Sequence, residues 1–313
     1  MRVSFLTSVV DGPAFLGEML ESIAAQTYSD VELVLVIDKP TSQTTEAELV
    51  AVATKYDTKL AVTLLINDVR LGLTASLNKA AAAATGAIFI RIDADDKCTP
   101  ERASVIAPYF ERGFHFVGNT TRLQNQQGQI VGAYPARELS HAESSQRLLN
   151  LKRVAAHSGL AFSRTLFEGI NGYDTYYQFS QDYDFMLRAL EATSGTDFII
   201  LNAPLSIVTL HPAAISQSSN REAQLLFQLE ALIRFHRRSA RDAADRPDQD
   251  INALIQSKKS WKLIQLSQRF KAQMRSASRL SLLLSFATRP KAWVAILLER
   301  YLLRRLINQI VST

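Results

Sequence analysis

The chain has 313 residues, enough for one large domain or two small ones with a buried core. Hydrophobic residues make up 47% and charged residues 21%, which excludes intrinsic disorder, and a single cysteine, Cys98, excludes an intrachain disulfide and fits a reducing compartment such as the cytoplasm. The net charge of +5 is uneven: from Lys258 onward twelve Lys or Arg face one acid, Glu299, so this tail carries +11 and the rest of the chain −6.

In chain order, residues 3–10 read as a first β-strand, not a secretory signal, because Thr7, Ser8 and Asp11 break the apolar run. Gly12-Pro13 ends it, and Phe15, Leu16, Met19, Leu20, Ile23 and Ala24 recur at helical spacing. Residues 31–37 form an apolar, β-branched run suited to a strand buried on both faces. A turn at 38–42, a helix at 45–56, a third strand at 60–66, an Ala-rich helix at 73–85 and a fourth strand at 87–92 follow. Strand alternating with helix predicts an α/β domain with a mostly parallel central sheet and helices on both faces. The middle, 116–212, is less regular, with turns at 125–128 and at Asn171-Gly172. Beyond Asn220 the pattern is helical. No stretch reaches the roughly 18 apolar residues of a spanning helix.

In such sheets ligands bind beyond the carboxyl ends of the strands. Asp38 and the run Asp93-Ala94-Asp95-Asp96 stand at two of those ends. Three carboxylates within four residues repel one another unless donors or a cation hold them, and a hard dication takes carboxylate and phosphate oxygens. The competing reading is an acidic turn in which Asp96 or Thr99 caps the helix that follows. Asp182, in Gln181-Asp182-Tyr183-Asp184, precedes a helix whose Phe185, Met186, Ala189 and Leu190 share one face. It is either a helix-start carboxylate stabilised by backbone N–H groups or a general base for an attacking hydroxyl.

The residues together resemble the inverting family 2 glycosyltransferases of the GT-A fold, of the bacterial surface-polysaccharide type, over about residues 1–218. Leu20-Glu21-Ser22-Ile23 with Gln26-Thr27 resembles the family's first-helix motif, and Val34-Leu35-Val36-Ile37-Asp38 its acidic strand end. Arg70-Leu71-Gly72-Leu73 through Asn78 resembles its N-x-G-L segment, with the usual first Asn either displaced to Asn67 or replaced by Arg70. Arg91-Ile92-Asp93-Ala94-Asp95-Asp96 with Pro100 resembles its acidic motif. His157-Ser158-Gly159, Gly172-Tyr173-Asp174 and Gln181-Asp182 resemble its acceptor half. Gln181 replaces a frequent Glu, which removes a like charge beside Asp182.

The resemblance implies a transferase moving a sugar from a nucleoside-diphosphate donor, a UDP-sugar, to an acceptor hydroxyl on a glycan or lipid-linked oligosaccharide. Asp38 would contact the base of the nucleotide, Asp93 the ribose and phosphates, and Arg70 and Arg91 would complete the donor contacts. Asp95 and His211 would ligate Mn²⁺ or Mg²⁺, and Asp182 would be the catalytic base. A sugar nucleotidyltransferase would need a Gly-rich phosphate loop that Val9-Val10-Asp11-Gly12-Pro13 does not supply. A non-catalytic nucleotide-sugar or glycan-binding domain is the remaining alternative.

Residues 219–313 are expected to form a helical, basic extension. Its Leu-rich and Trp-bearing segments beside Arg fit either an interfacial helix on an anionic membrane or helices packed on the body. Membrane attachment would place the protein peripherally on the inner face of the cytoplasmic membrane. Nucleic acid is not an expected partner, because aromatic residues do not interleave the basic ones.

Overall fold

In chain order the elements are β1 (Val3–Val9), α1 (Pro13–Ala24), β2 (Val31–Asp38), α2 (Glu46–Thr54), β3 (Ala61–Asn67), α3 (Leu73–Ala83), β4 (Ile88–Arg91) and β5 (Lys97–Cys98). Then come α4 (Arg102–Glu111), β6 (Phe116–Gln124), β7 (Ile130–Tyr134), β8 (Leu139–Ser140) and α5 (His141–Leu149). A 3-10 turn (His157–Gly159), β9 (Leu160–Ser163), α6 (Arg164–Gly169), α7 (Gln181–Ala192), β10 (Phe198–Thr209) and α8 (Arg221–Ser239) complete the set. The structure, a computed structural model, describes residues 1–40, 45–56, 60–211 and 221–239. The chain divides into Met1–Gln228 and Leu229–Thr313. Of the second unit only 229–239 is described, and there Arg234 pairs with Glu230 one turn away at 3.1 Å.

The strands form one sheet in the order β3-β2-β1-β4-β9-β6-β10-β5, with β7 on β6 and β8 on β10. The first four strands are parallel, as the alternating pattern predicts. β9 then runs antiparallel to both β4 and β6, and β10 is again parallel to β6. Successive strand side chains point to opposite faces, and here both faces are covered. Val3, Phe5, Leu33, Leu35, Ile37, Ile88 and Ile90 bury one face with Leu16, Met19, Leu20 and Ile23 of α1, Leu49 of α2 and Ile106 of α4. On the opposite parity Phe89 meets Phe162 and Phe167 edge-on, and Phe162 and Tyr173 pack on Phe185 of α7.

The amino end of the parallel strands is closed by a buried carboxylate. Glu32 accepts from Ser4 Oγ, Thr85 N (2.6 Å), Gly86 N (3.1 Å) and Thr85 Oγ1 (2.9 Å), and pairs with Arg2 at 3.1 Å. Burial opposes its charge, but the Ser4 and Thr85 bonds hold it below the usual carboxylate range. A Cβ on Gly86 would lie 2.4 Å from Ser4 Oγ and 2.7 Å from Arg2 O, so glycine is required there by space. The carboxyl ends of the same strands carry the acidic residues. Among the described residues, no helix is long and apolar enough to cross a membrane.

Candidate functional site

β2 ends in Asp38, whose buried carboxylate turns onto the β3–α3 loop. Oδ1 accepts from Leu71 N (2.7 Å) and Asn67 Nδ2 (3.0 Å), and Oδ2 accepts from Gly72 N (2.8 Å). Gly72 has φ +86°, a left-handed conformation that disfavours any side chain. Asn67 is itself held by Ser76 and Lys79. Asp38 thus shapes the loop that presents Arg70, which is exposed at the rim.

Arg91, at the end of β4, is wholly buried and donates to Ile92 O and to Asp93 Oδ1. Its charge therefore acts at the site through Asp93. The other Asp93 oxygen accepts from Ser158 Oγ (2.9 Å), and the Asp93 N–H donates to that same Oγ (2.9 Å). Burial works against an ionised Asp93, yet the Arg91 guanidinium and the Ser158 hydroxyl hold its carboxyl below the ordinary aspartate value.

Asp95 differs. Its side chain is 37% exposed, and its Oδ2 lies 2.8 Å from His211 Nε2. The His211 ring stacks on Phe15 of α1, with centroids 5.0 Å apart. Burial, and then the neighbouring Asp93 charge, push Asp95 up. Asp96 is buried, in contact with Ser158 Oγ and accepting from Thr209 N (3.1 Å), and burial raises it well above the usual range. The helix-cap reading of this acidic run fails: α4 begins at Arg102, its cap residue is Glu101, and no side chain caps it. The cluster's carboxylates are spent on Arg91, Ser158, Thr209 and His211 instead.

Asp182 is the second residue of α7, whose cap residue Ser180 takes a left-handed φ of +57°. Asp182 Oδ1 accepts from Tyr183 N (2.9 Å), so the helix start does stabilise it locally. Burial nevertheless pushes Asp182 above the ordinary aspartate value; the Arg153 charge opposes this and the Asp93 charge adds to it. The phenols of Tyr134 and Tyr173 feel the Asp182 charge in turn. Asp182 therefore shares its electrostatic surroundings with Asp93.

Several residues here were present in motifs but carried no assigned role. Ser158 joins Asp93 to Asp96. Asn78 exchanges two hydrogen bonds with the Tyr173 backbone, at 2.8 and 2.9 Å. His157 Nε2 lies 2.9 Å from Tyr173 Oη, and burial pushes the imidazole down to about 3, so it is neutral at physiological pH. Arg153 is the cation facing Asp182, and no motif singled it out. Among the described residues, no group of three or more His, Cys, Asp or Glu side chains is arranged to hold a metal ion. Asp95 and His211 supply a pair.

Known proteins share this arrangement of elements. The chain is 26% identical over 205 residues to an uncharacterised glycosyltransferase of Haemophilus influenzae, a match covering 64% of this chain and 66%, just under two thirds, of that protein. It is 27% identical over 221 residues to the O-antigen biosynthesis glycosyltransferase WbnJ of Escherichia coli, covering 69% and 83% of the two chains. Residues 1–349 of Staphylococcus aureus TarS, solved in complex with UDP-GlcNAc, superpose with a TM-score of 0.61 at 15% identity, over 94% of this chain and 79% of that one. The mannosyltransferase PcManGT of Pyrobaculum calidifontis, solved with GDP-Man and Mn²⁺, gives 0.55 at 19% identity, over 99% and 86%. These likenesses establish the GT-A fold. The sequence profile described as glycosyl transferase family 2 matches residues 4–170, more than half of the chain, from the first strand through the acidic run and the His157–Gly159 turn to the end of α6. The chain belongs to glycosyl transferase family 2.

Proposed function

We propose that this chain is a glycosyltransferase that moves a sugar from a nucleoside diphosphate, UDP foremost, to an acceptor hydroxyl, inverting the anomeric centre with the help of Mn²⁺ or Mg²⁺. What supports it is a pair of carboxylates whose surroundings push them in opposite directions. Asp93 is kept ionised by Arg91 and Ser158, while burial raises Asp182 toward the range of a working base. The acceptor we infer is a glycan or lipid-linked oligosaccharide of the cell surface, in keeping with the O-antigen role in the name of WbnJ.

The residues fit a dication. A hard dication takes carboxylate and imidazole ligands together with phosphate oxygens. Asp95 and His211, joined by a 2.8 Å hydrogen bond between Oδ2 and Nε2, are the two residues that would hold it. PcManGT was solved in complex with GDP-Man and Mn²⁺. When bound, such an ion neutralises the charge that grows on the leaving diphosphate.

The protein's own groups do the rest. Asp38 fixes the loop that bounds the nucleotide, Arg70 offers a cation at its rim, and Asp93, steadied by Arg91, orients the donor. Asp182 accepts the proton of the attacking hydroxyl from the face of the sugar opposite the diphosphate, and direct displacement inverts the anomeric carbon. The basic extension from residue 219 would hold the enzyme against the inner face of the cytoplasmic membrane.

A panel of nucleotide sugars tests the proposal. Binding of one of them that strengthens with Mn²⁺, and its turnover with glycan or lipid-linked acceptors, is the expected result. Failure of every member to bind removes the reading.

A further inference from the structure

The 3-10 turn His157–Gly159 is pinned from below by the sheet. Ser158 O accepts from Ser206 Oγ of β10 (3.0 Å), and that hydroxyl accepts from Asn119 Nδ2 of β6 (2.8 Å). Gly159 presses so closely on β6 that an added Cβ would lie 2.9 Å from Thr121 Oγ1 and 3.1 Å from Asn119 O. The Ser158 side chain, 1% exposed, therefore projects toward the acidic run from a support with little freedom to move. Its single oxygen meets Asp93 twice, at the N–H and at Oδ2, both at 2.9 Å, and touches the Asp96 carboxylate as well. Arg91 holds the remaining Asp93 oxygen. Main chain and carboxylate of Asp93 are thus fixed together by one hydroxyl from a segment that leads into the acceptor half.

We propose that Ser158 is a positioning residue for donor binding: it sets the direction of the Asp93 carboxylate toward the nucleoside-diphosphate part of the donor. The inference rests on the reading of Asp93 as a donor contact. A carboxylate tethered at one oxygen by a cation and at the other by a neutral hydroxyl keeps its charge while losing its rotation. Without the hydroxyl, Arg91 alone would hold it, through one oxygen, and the donor would meet an ensemble of orientations instead of one.

The test is a double-mutant cycle on the full chain, with nucleotide affinity measured by calorimetry. The probe is whichever of UDP, GDP and dTDP binds the unaltered protein most tightly in the presence of Mn²⁺. Ser158→Ala is expected to weaken binding about tenfold, with kcat at saturating donor changed much less. In an Asp93→Asn background the same change should add nothing, because the group through which Ser158 acts is already lost. Unchanged affinity in Ser158→Ala, or an equal loss on top of Asp93→Asn, overturns the proposal. If Asp93→Asn itself leaves affinity unchanged, or no nucleotide binds, the donor-site reading fails instead. Thermal melts accompany each variant, and if Ser158→Ala is unfolded at assay temperature the cycle is read with Ser158→Cys, which keeps a weak donor there.

Discussion

Asn78 and Tyr173 lie 95 residues apart in sequence and are joined as closely as neighbours in a strand: the Asn78 amide donates to Tyr173 O and accepts from Tyr173 N. This clamp ties α3, whose first residues follow the Asp38-bound loop, to the segment that leads into α7 and Asp182. Gly172 beside it has φ +64°, and a Cβ there would lie 2.7 Å from Asn78 Oδ1. Asn78→Ala strands a backbone N–H and C=O and is expected to cost about 1–3 kcal/mol of stability. Turnover should fall more than nucleotide affinity, since the segment set free leads into α7, which carries the proposed base Asp182. Thermal denaturation and steady-state kinetics on one preparation check both.

Asp182→Asn keeps shape and removes basicity. Turnover should drop by about 10²-fold or more with nucleotide affinity nearly unchanged. A loss of affinity at unaltered turnover would move Asp182 into the donor site.

Asp95→Ala and His211→Ala each remove one member of the 2.8 Å pair. Both should abolish the Mn²⁺ or Mg²⁺ dependence of nucleotide binding while leaving the melting temperature close to that of the unaltered protein. Excess chelator should reproduce their effect. Full activity in chelator would sink the metal assignment.

If Asp182 is the base, as proposed, it must be ionised to act, and kcat/KM should fall as pH drops through its pKa, which burial places above the ordinary aspartate value. Arg153 opposes that rise. Arg153→Gln should therefore displace the acid limb of the pH–rate profile to higher pH, and Arg153→Lys should restore much of it. A displacement toward lower pH would contradict the charge relationship.

The membrane expectation concerns residues 258–313, which lie outside the described residues. Their +11 charge beside Leu-rich segments should bind anionic vesicles in low salt, each basic residue near the surface contributing about 1 kcal/mol. Co-sedimentation should weaken in high salt and vanish when Lys258 to Thr313 is deleted. A truncated chain that still sediments would point to the body instead.

The first four strands and their helices were legible because each carries its own period: β-branched runs for the strands, three-and-four spacing for α1. The bounds shift by one or two residues, as for α3, expected to 85 and ending at Ala83. The insertion of β9 between β4 and β6 was not legible, because strand partners are chosen by non-local packing. Residue types at strand ends pointed to the acidic run, but not to where each carboxylate turns. Asp38 was read as a nucleotide contact, and both its oxygens are bonded to the β3–α3 loop and Asn67. Capping by Asp96 or Thr99 is one reading the sequence offers for α4, but the cap residue is Glu101, and tertiary bonds from Ser158 and Thr209 draw Asp96 away from that role. Ser158 meets its partners across more than sixty residues, a distance over which spacing carries no signal.

The bonds around Glu32 give the sheet two ends with different histories open to them. At the amino end Arg2, Ser4, Glu32, Thr85 and Gly86 are mutually committed, so a change in any one strands the others. At the carboxyl end Lys39, just beyond β2, and Arg70, in the β3–α3 loop, are exposed. If that rim meets donor or acceptor, as proposed, side chains there can be exchanged without touching the bonds at the amino end.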